Sequence, residues 1–128
     1  MHDRSIRVLL VEDNEGLLDP LADVLSFAGM EVGKATDARA AYALLTREHY
    51  DIAVVDMILP GPSGVEVIRK LKETSPETRI IICTAYYDNQ LLLQAKSLEV
   101  DGTVQKPADP AALTALIRKL AGPVRGSA

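Results

Sequence analysis

Short apolar runs alternate along this chain with longer stretches in which apolar side chains recur at helical spacing. The runs of strand length are 6–11, 30–35, 52–55, 80–83 and, more weakly, 101–105. Runs that are apolar on both faces are typical of strands buried in a parallel sheet. The second run alternates apolar with polar residues, and the fifth is poor in apolar residues. We therefore predict that these two strands lie at the edges of the sheet.

The first helical stretch has its apolar residues at the spacing of one helix face, and Gly29 is placed to end it. The residues of this predicted face are Leu17, Leu21, Val24, Leu25 and Ala28. Pro20 lies inside the pattern, where it removes a backbone donor. The helix therefore either bends at Pro20 or begins at Asp19, and the apolar residue at position 17 favours the bend.

The remaining helical stretches begin at residues that cap helices well. Ser63 and Glu66 have the spacing of a capping box, and Gly122 is placed to end the last helix. The other predicted N-caps are Asp37, Asp88 and Asp109, the last followed by Pro110 at the first helical position.

Five successive strand–helix units predict an α/β fold with a doubly wound, five-stranded parallel sheet and five flanking helices. With the second and fifth strands at the edges, the expected strand order is the flavodoxin-like 2-1-3-4-5. One domain is predicted over residues 1–121. Residues 122–128 are expected to be a short C-terminal tail or the start of a linker.

Composition narrows the class of protein. The 128 residues are 48% hydrophobic and 25% charged, as in ordinary soluble domains. The net charge of −4 and the lack of a basic cluster argue against direct binding to nucleic acid. One cysteine, Cys83, allows no internal disulfide and favours a reducing compartment. No apolar run approaches the roughly 20 residues that span a membrane, so we expect a cytoplasmic location.

Chemistry is expected where the carboxyl ends of the strands meet, because ligands of doubly wound sheets bind there. Glu12 and Asp13 follow the first strand, Asp56 the third, Thr84 the fourth and Lys106 the fifth. Three carboxylates close together call for a cation, and an all-oxygen ligand set favours Mg²⁺ over zinc. A carboxylate beside Mg²⁺ can attack phosphorus, and a lysine can neutralise the phosphoryl oxygens.

Four motifs at these strand ends together resemble the receiver domain of two-component response regulators. They are VEDN at 11–14, VVDMILPGPSG at 54–64, TA at 84–85 and KP at 106–107. The resemblance covers about 6–120.

The resemblance implies a phospho-acceptor at Asp56 and a Mg²⁺ site. It implies that Asp13 is a direct metal ligand and that Glu12 reaches the metal through water. Asp56 itself and the backbone carbonyl of Ile58 are the further implied ligands.

The same resemblance assigns roles to residues around the phosphoryl group. Thr84 is implied as the switch hydroxyl and Lys106 as the lysine that contacts the phosphoryl group. The bond from Lys106 to Pro107 is implied to be cis, and Gly64 to let the loop after Asp56 turn.

This sequence departs from the family pattern in two places. Thr103 stands where receivers usually carry a switch aromatic, so Tyr86 and Tyr87 are candidates for part of that role and for a partner surface with Thr84. Glu99 stands where glycine is common, so the turn before the fifth strand is expected to differ.

The implied function is a phosphorylation-controlled signalling switch. A sensor histidine kinase or phosphotransfer protein would phosphorylate Asp56, and the domain would catalyse only its own phosphorylation and dephosphorylation. The output would pass to an effector protein or to an effector domain absent from this chain, and phosphorylation-dependent dimerisation stays open.

Two other classes of protein share parts of this pattern. The main alternative is a haloacid dehalogenase-type phosphatase, which needs a DxD pair where this chain has Glu12, Asp13 and Asn14. The other is a flavodoxin-like cofactor binder, whose phosphate the two acids would repel.

Overall fold

The computed structural model describes residues 5–84, 93–94 and 96–122. Tyr86, Tyr87 and Asp88 lie outside these residues, and so does most of the predicted fourth helix. Its described part consists of helical residues Leu93, Gln94, Lys96 and Ser97.

One parallel sheet forms the centre of the molecule, in the order β2-β1-β3-β4-β5. Its strands are β1 (Arg7–Val11), β2 (Glu31–Ala35), β3 (Ile52–Asp56), β4 (Arg79–Thr84) and β5 (Gly102–Gln105). The predicted fold class, strand order and edge strands are confirmed.

Four complete helices lie within the described part of the chain. They are α1 (Glu15–Phe27), α2 (Ala38–Leu45), α3 (Gly64–Thr74) and α4 (Pro110–Ala121). Helix α4 is the fifth of the predicted helices.

Both faces of the sheet are apolar because successive side chains of a strand point to opposite sides. Leu9 and Val55 belong to the core beneath α2 and α3. Leu10 and Val54 belong to the core beneath α1 and α4. Every residue of β3 is buried, as expected for a central strand covered on both faces.

The buried face of α1 differs from the predicted one. Leu18, Ala22 and Leu25 are buried, whereas Leu17 and Val24 are 44% and 39% exposed. The apolar residues of this helix cover a wider sector than the core can bury. The predicted buried face is therefore shifted by about one position from the face that is buried. The helix begins after Asn14 and is continuous across Pro20, which excludes a start at Asp19.

The predicted N-cap residues of α2, α3 and α4 occupy N-cap positions, but only one of them makes the expected side-chain hydrogen bond. The Asp37 carboxylate accepts a hydrogen bond from the backbone N–H of Ala40 at 2.8 Å, as a cap should. Ser63 and Asp109 occupy N-cap positions without a side-chain cap bond. The predicted capping box is therefore wrong, because the Glu66 carboxylate pairs with the guanidinium of Arg69 at 2.7 Å.

Two aspartates join strands at the amino edge of the sheet, opposite the predicted site. Asp51, just before β3, accepts a hydrogen bond from the backbone N–H of Arg7 in β1 at 2.8 Å. Asp101, just before β5, accepts one from the N–H of Ile80 in β4, also at 2.8 Å. Each carboxylate thus satisfies a backbone donor at the start of a neighbouring strand.

Glu99 adopts the left-handed conformation, with φ of 62°. Its side chain is exposed, and its carbonyl accepts a hydrogen bond from Nζ of Lys72 at 2.8 Å. A residue with a Cβ is strained in this region by about 1–2 kcal/mol, whereas glycine is not. The glutamate therefore adopts the conformation that a glycine here would favour.

Replacing Glu99 with glycine should raise the free energy of unfolding by about 1 kcal/mol, because the released strain outweighs the extra freedom of the unfolded chain. Urea denaturation would measure the gain. Glu99→Ala keeps the Cβ and should give none, so an equal gain in both variants would show that strain is not the cause.

Candidate functional site

The carboxyl edge of the sheet brings the predicted strand-end residues together. Glu12 follows β1, Asp56 ends β3, and Lys106 follows β5. Thr84 ends β4 and stands opposite Gln105 of β5, which places its backbone at the same edge.

Asp56 lies at the centre of this edge and is 6% exposed. One carboxylate oxygen, Oδ1, accepts a hydrogen bond from the backbone N–H of Ile58 at 3.1 Å. The other, Oδ2, accepts one from Nζ of Lys106 at 2.8 Å. Both oxygens therefore accept a hydrogen bond, and the two bonds fix the orientation of the carboxylate.

Glu12 is held in the same manner from the neighbouring strand. Its Oε2 accepts a hydrogen bond from the backbone N–H of Asn14 at 3.1 Å. Its Oε1 forms an ion pair with Nζ of Lys106. The two carboxylates thus share one ammonium group, with only 13% of the Glu12 side chain exposed.

Lys106 is the cation between these two acids, and its side chain is 13% exposed. Burial by itself lowers the pKa of this lysine, but hydrogen bonds and charge from Asp56 and Glu12 outweigh burial and raise it above its ordinary 10.5. Because the pKa of Lys106 is higher in the folded than in the unfolded protein, its charged form stabilises the fold. This stabilisation is fully present below the unfolded pKa and is lost as the pH rises through the folded pKa. The lysine is therefore charged across the physiological range.

Asp13 completes an acidic cluster with Glu12 and Asp56, in which one carboxylate oxygen of each lies within 4.8 Å of the others. Asp13 is exposed, Glu12 is half-buried and Asp56 is buried. Three carboxylates and one ammonium give the cluster a net negative charge, and its Asp13 is open to solvent. That all-oxygen set fits a hard cation such as Mg²⁺.

Gly64 lies where the loop after Asp56 returns to the end of β3, and its backbone N–H donates a hydrogen bond to the carbonyl of Met57 at 3.1 Å. A Cβ at this position would lie 2.2 Å from the backbone oxygen of Asp56 and 2.7 Å from Cα of Met57. Gly61 of the same loop has a positive φ of 74°. Gly64 permits close packing of the start of α3 against the end of β3, and its role in the turn stays a prediction. The bond between Lys106 and Pro107 is cis, as the resemblance implied.

A family model described as the response regulator receiver domain matches residues 8–118. The chain belongs to this family.

The relatives of this receiver domain are mostly longer proteins. It is 39% identical over 111 residues to the sensory transduction protein RegX3 of Mycobacterium tuberculosis, covering 87% of this chain and 48% of RegX3. It is 32% identical over 102 residues to a cyclic di-GMP phosphodiesterase of Thermotoga maritima, covering 80% of this chain and 27% of that protein. The chain therefore spans less than half the length of both.

A solved structure of similar fold is the CheY-like receiver domain protein of Methanospirillum hungatei JF-1. The two share 27% identity with a TM-score of 0.87, over 91% of this chain and 94% of that one. Within the part of this receiver that the structure describes, no helix is long and apolar enough to cross a membrane.

Several residues with predicted switch roles can be placed only in part. Thr103 is exposed on the edge strand β5. Tyr86 and Tyr87 lie outside the described residues, so their switch and partner roles stay predictions. The carbonyl of Ile58 as a metal ligand also stays a prediction, although its N–H already holds Asp56.

The sequence pattern does not reveal an apolar cavity of about 210 Å³ next to the acidic cluster. Its wall is formed by α1, the sheet and the start of α4. Asp56, Glu12 and Lys106 stand at its polar end. The sequence pattern predicted that Leu17 and Val24 pack in the core. Instead, both side chains line this cavity and are partly exposed.

Cys83 of this receiver is 7% exposed and also lines the cavity. Burial raises the pKa of its thiol to about 11, although the charge of Lys106 acts in the opposite direction. Since the thiolate is the reactive form, about one thiol in a thousand is reactive at pH 8.

Alkylation of Cys83 by iodoacetamide at pH 8 should be at least about a hundredfold slower in the folded protein than in urea. Intact mass measured over time gives both rates, and the unfolded chain is the internal control because no second cysteine exists. Equal rates would mean that the thiol is neither buried nor raised in pKa.

Proposed function

We propose that Asp56 is the phospho-acceptor of this signalling switch. The observation that carries the proposal is the buried Asp56 carboxylate, held by the N–H of Ile58 and by Lys106. A carboxylate oxygen attacks the phosphorus of a phosphohistidine on a sensor histidine kinase or phosphotransfer protein. The P–N bond breaks, the electron pair stays on the imidazole nitrogen, and the product is an aspartyl phosphate.

The acidic cluster is proposed to hold Mg²⁺ through Asp13, Asp56 and the carbonyl of Ile58, with Glu12 reaching the ion through water. When bound, the ion supplies positive charge that neutralises the phosphoryl oxygens. Lys106, which donates a hydrogen bond to Oδ2 of Asp56, adds a second positive charge. Glu12 and Asp13 by themselves would repel an anionic donor.

The switch itself is proposed to work through Lys106 and Thr84. In the unphosphorylated protein, Lys106 is divided between Asp56 and Glu12. A phosphoryl group on Asp56 adds negative charge that draws the ammonium from Glu12 and the Thr84 hydroxyl inward. The chemistry acts on the chain's own aspartate, so the protein is a switch rather than an enzyme with turnover.

The output is proposed to pass to a downstream effector protein or to an effector domain absent from this chain. We assign residues 1–121 to the receiver and 122–128 to a tail or linker. A cytoplasmic location suits its single free cysteine. The net charge of −4 argues that any action on nucleic acid would be indirect.

A haloacid dehalogenase-type phosphatase finds no support among the relatives. The loop after β1 offers Glu12 and Asp13 in place of the DxD pair that such enzymes need.

The test is incubation with acetyl phosphate and Mg²⁺, followed by intact mass. The wild-type chain should gain one phosphoryl group, and Asp56→Asn should gain none. Asp109→Asn removes an exposed carboxylate that makes no cap bond and should label normally. Chelation of Mg²⁺ should abolish the gain. Equal labelling of wild type and Asp56→Asn would show that another residue is the acceptor.

A further inference from the structure

The apolar cavity beside α1 leaves hydrophobic surface that the core does not cover. Leu17 and Val24 of α1 line it and are 44% and 39% exposed. Leu10, Val54 and Cys83 line it from the sheet. An apolar cavity of roughly 150 Å³ is sufficient for benzene, so one of about 210 Å³ has room for a ring with a short chain. A ligand that covered these side chains would gain from the removal of apolar surface from water.

The polar end of the same cavity has a net negative charge. Glu12 and Asp56 supply two carboxylates there, and Lys106 supplies one ammonium. Among the described residues, each carboxylate is paired with Lys106 and accepts one hydrogen bond from a backbone N–H. A carboxylate has about four acceptor positions, so both acids can accept a further hydrogen bond from a ligand.

The backbone donors at the start of α1, where this helix borders the cavity, are already used. The N–H of Gly16 donates to the side chain of Asn14 at 2.9 Å. The N–H groups of Leu17 and Leu18 donate to the carbonyl of Asn14 at 3.0 and 2.9 Å. A helix N-terminus attracts anions through such donors, and these three are occupied. The charge and the hydrogen-bonding capacity of this end therefore favour a cationic donor over an anion.

We propose that this cavity binds a small molecule made of an apolar ring and one cationic amine. The ring lies against Leu17 and Val24, and the ammonium donates hydrogen bonds to the remaining acceptor positions of Glu12 and Asp56. Leu17 and Val24 are seven residues apart, so this apolar wall is about 10 Å long. A ring joined to an amine by two carbons has a comparable length. Binding requires neither Mg²⁺ nor phosphorylation.

Such a ligand would inhibit the switch, and this consequence rests on the proposed function. The ammonium and Mg²⁺ would need the same carboxylates, those of Glu12 and Asp56. Each would therefore weaken the binding of the other by the same factor. An occupied cavity would also hold a hydrogen-bonded cation on the oxygen of Asp56 that must attack phosphorus, so phosphorylation would slow.

Amide NMR spectra recorded without Mg²⁺ test the site. The probes are phenylethylamine, phenylethanol and phenylacetate, which share a ring and differ in the charge of the head group. The amine should shift the signals of Leu17, Val24 and Cys83 with a dissociation constant of about 1 mM or below. The alcohol should bind at least about tenfold more weakly, because it lacks a charge-assisted hydrogen bond. Equal binding of amine and alcohol, binding of phenylacetate, or no shift with the amine would each overturn the proposal.

Two variants test where the ring and the ammonium lie. Val24→Trp should fill part of the cavity and weaken amine binding at least about tenfold. Leu93→Trp adds the same ring at a 65% exposed leucine elsewhere on the surface and is the matched control. Glu12→Gln keeps the size of the side chain but removes its charge, so it should reduce the preference for amine over alcohol. Binding unaffected by Val24→Trp, or a preference unchanged by Glu12→Gln, would contradict the assigned position.

Competition with Mg²⁺ separates this inference from the proposed function. Calorimetry first establishes whether the chain binds the ion. If it does, saturating Mg²⁺ should raise the apparent dissociation constant of the amine at least about tenfold. An amine that binds equally well beside bound Mg²⁺ would overturn the shared carboxylates. A chain that binds the amine but no Mg²⁺ would contradict the proposed metal site and support the amine site.

Discussion

Replacing Lys106 with methionine should strengthen Mg²⁺ binding and at the same time slow labelling of Asp56 by about a hundredfold or more. The ammonium of Lys106 occupies the space between Asp56 and Glu12 and repels an incoming cation. Its removal frees both carboxylates for the ion. The transferring phosphoryl group, however, loses the positive charge that no other described side chain supplies at this position.

The two effects can be measured separately. Calorimetric titration with Mg²⁺ gives the affinity, and intact mass after mixing with acetyl phosphate gives the rate of labelling. Lys96→Met removes an exposed lysine and is the matched control, which should leave both unchanged. Weaker Mg²⁺ binding in Lys106→Met would mean that the lysine organises the acidic cluster rather than competing with the ion.

Replacing Gly64 with alanine should lower the free energy of unfolding by about 3 kcal/mol. The new Cβ would lie 2.2 Å from the backbone oxygen of Asp56, so either α3 or the end of β3 must move. A shift of β3 would also displace the carboxylate of Asp56, and labelling should slow in the fraction that stays folded.

Gly61→Ala distinguishes a glycine that is needed for its backbone conformation from one that is needed because a Cβ would clash. Gly61 has a positive φ of 74°, but a Cβ at this position would meet no atom within 4 Å. Its replacement should cost about 1 kcal/mol through strain alone. Urea denaturation of both variants gives the comparison, and equal costs would contradict a steric role for Gly64.

The strand ends could be predicted from the sequence because apolar runs stop where the sheet meets solvent. Asp56 ends the buried strand β3, Lys106 follows the edge strand β5, and the parallel topology brings both to one edge. That inference needs only strand order and direction. The placement of the acidic cluster followed in the same way.

Other features depend on geometry that the sequence pattern does not contain. The division of Lys106 between Asp56 and Glu12 is set by side-chain reach across three strands. The capping box failed because Glu66 found a partner in Arg69, one turn along the helix. The face of α1 was misplaced because apolar spacing records hydrophobicity and not burial, and Leu17 and Val24 are both apolar and exposed.

The carboxylates of Asp51 and Asp101 fasten the amino edge of the sheet, far from the acidic cluster. The parts that keep the domain folded and the parts that respond to a signal are thus separated along the strands. Loops at the responsive edge can acquire new sequences at little cost to the scaffold. Such a division of labour lets natural selection change which signal the domain answers while inheriting the same framework.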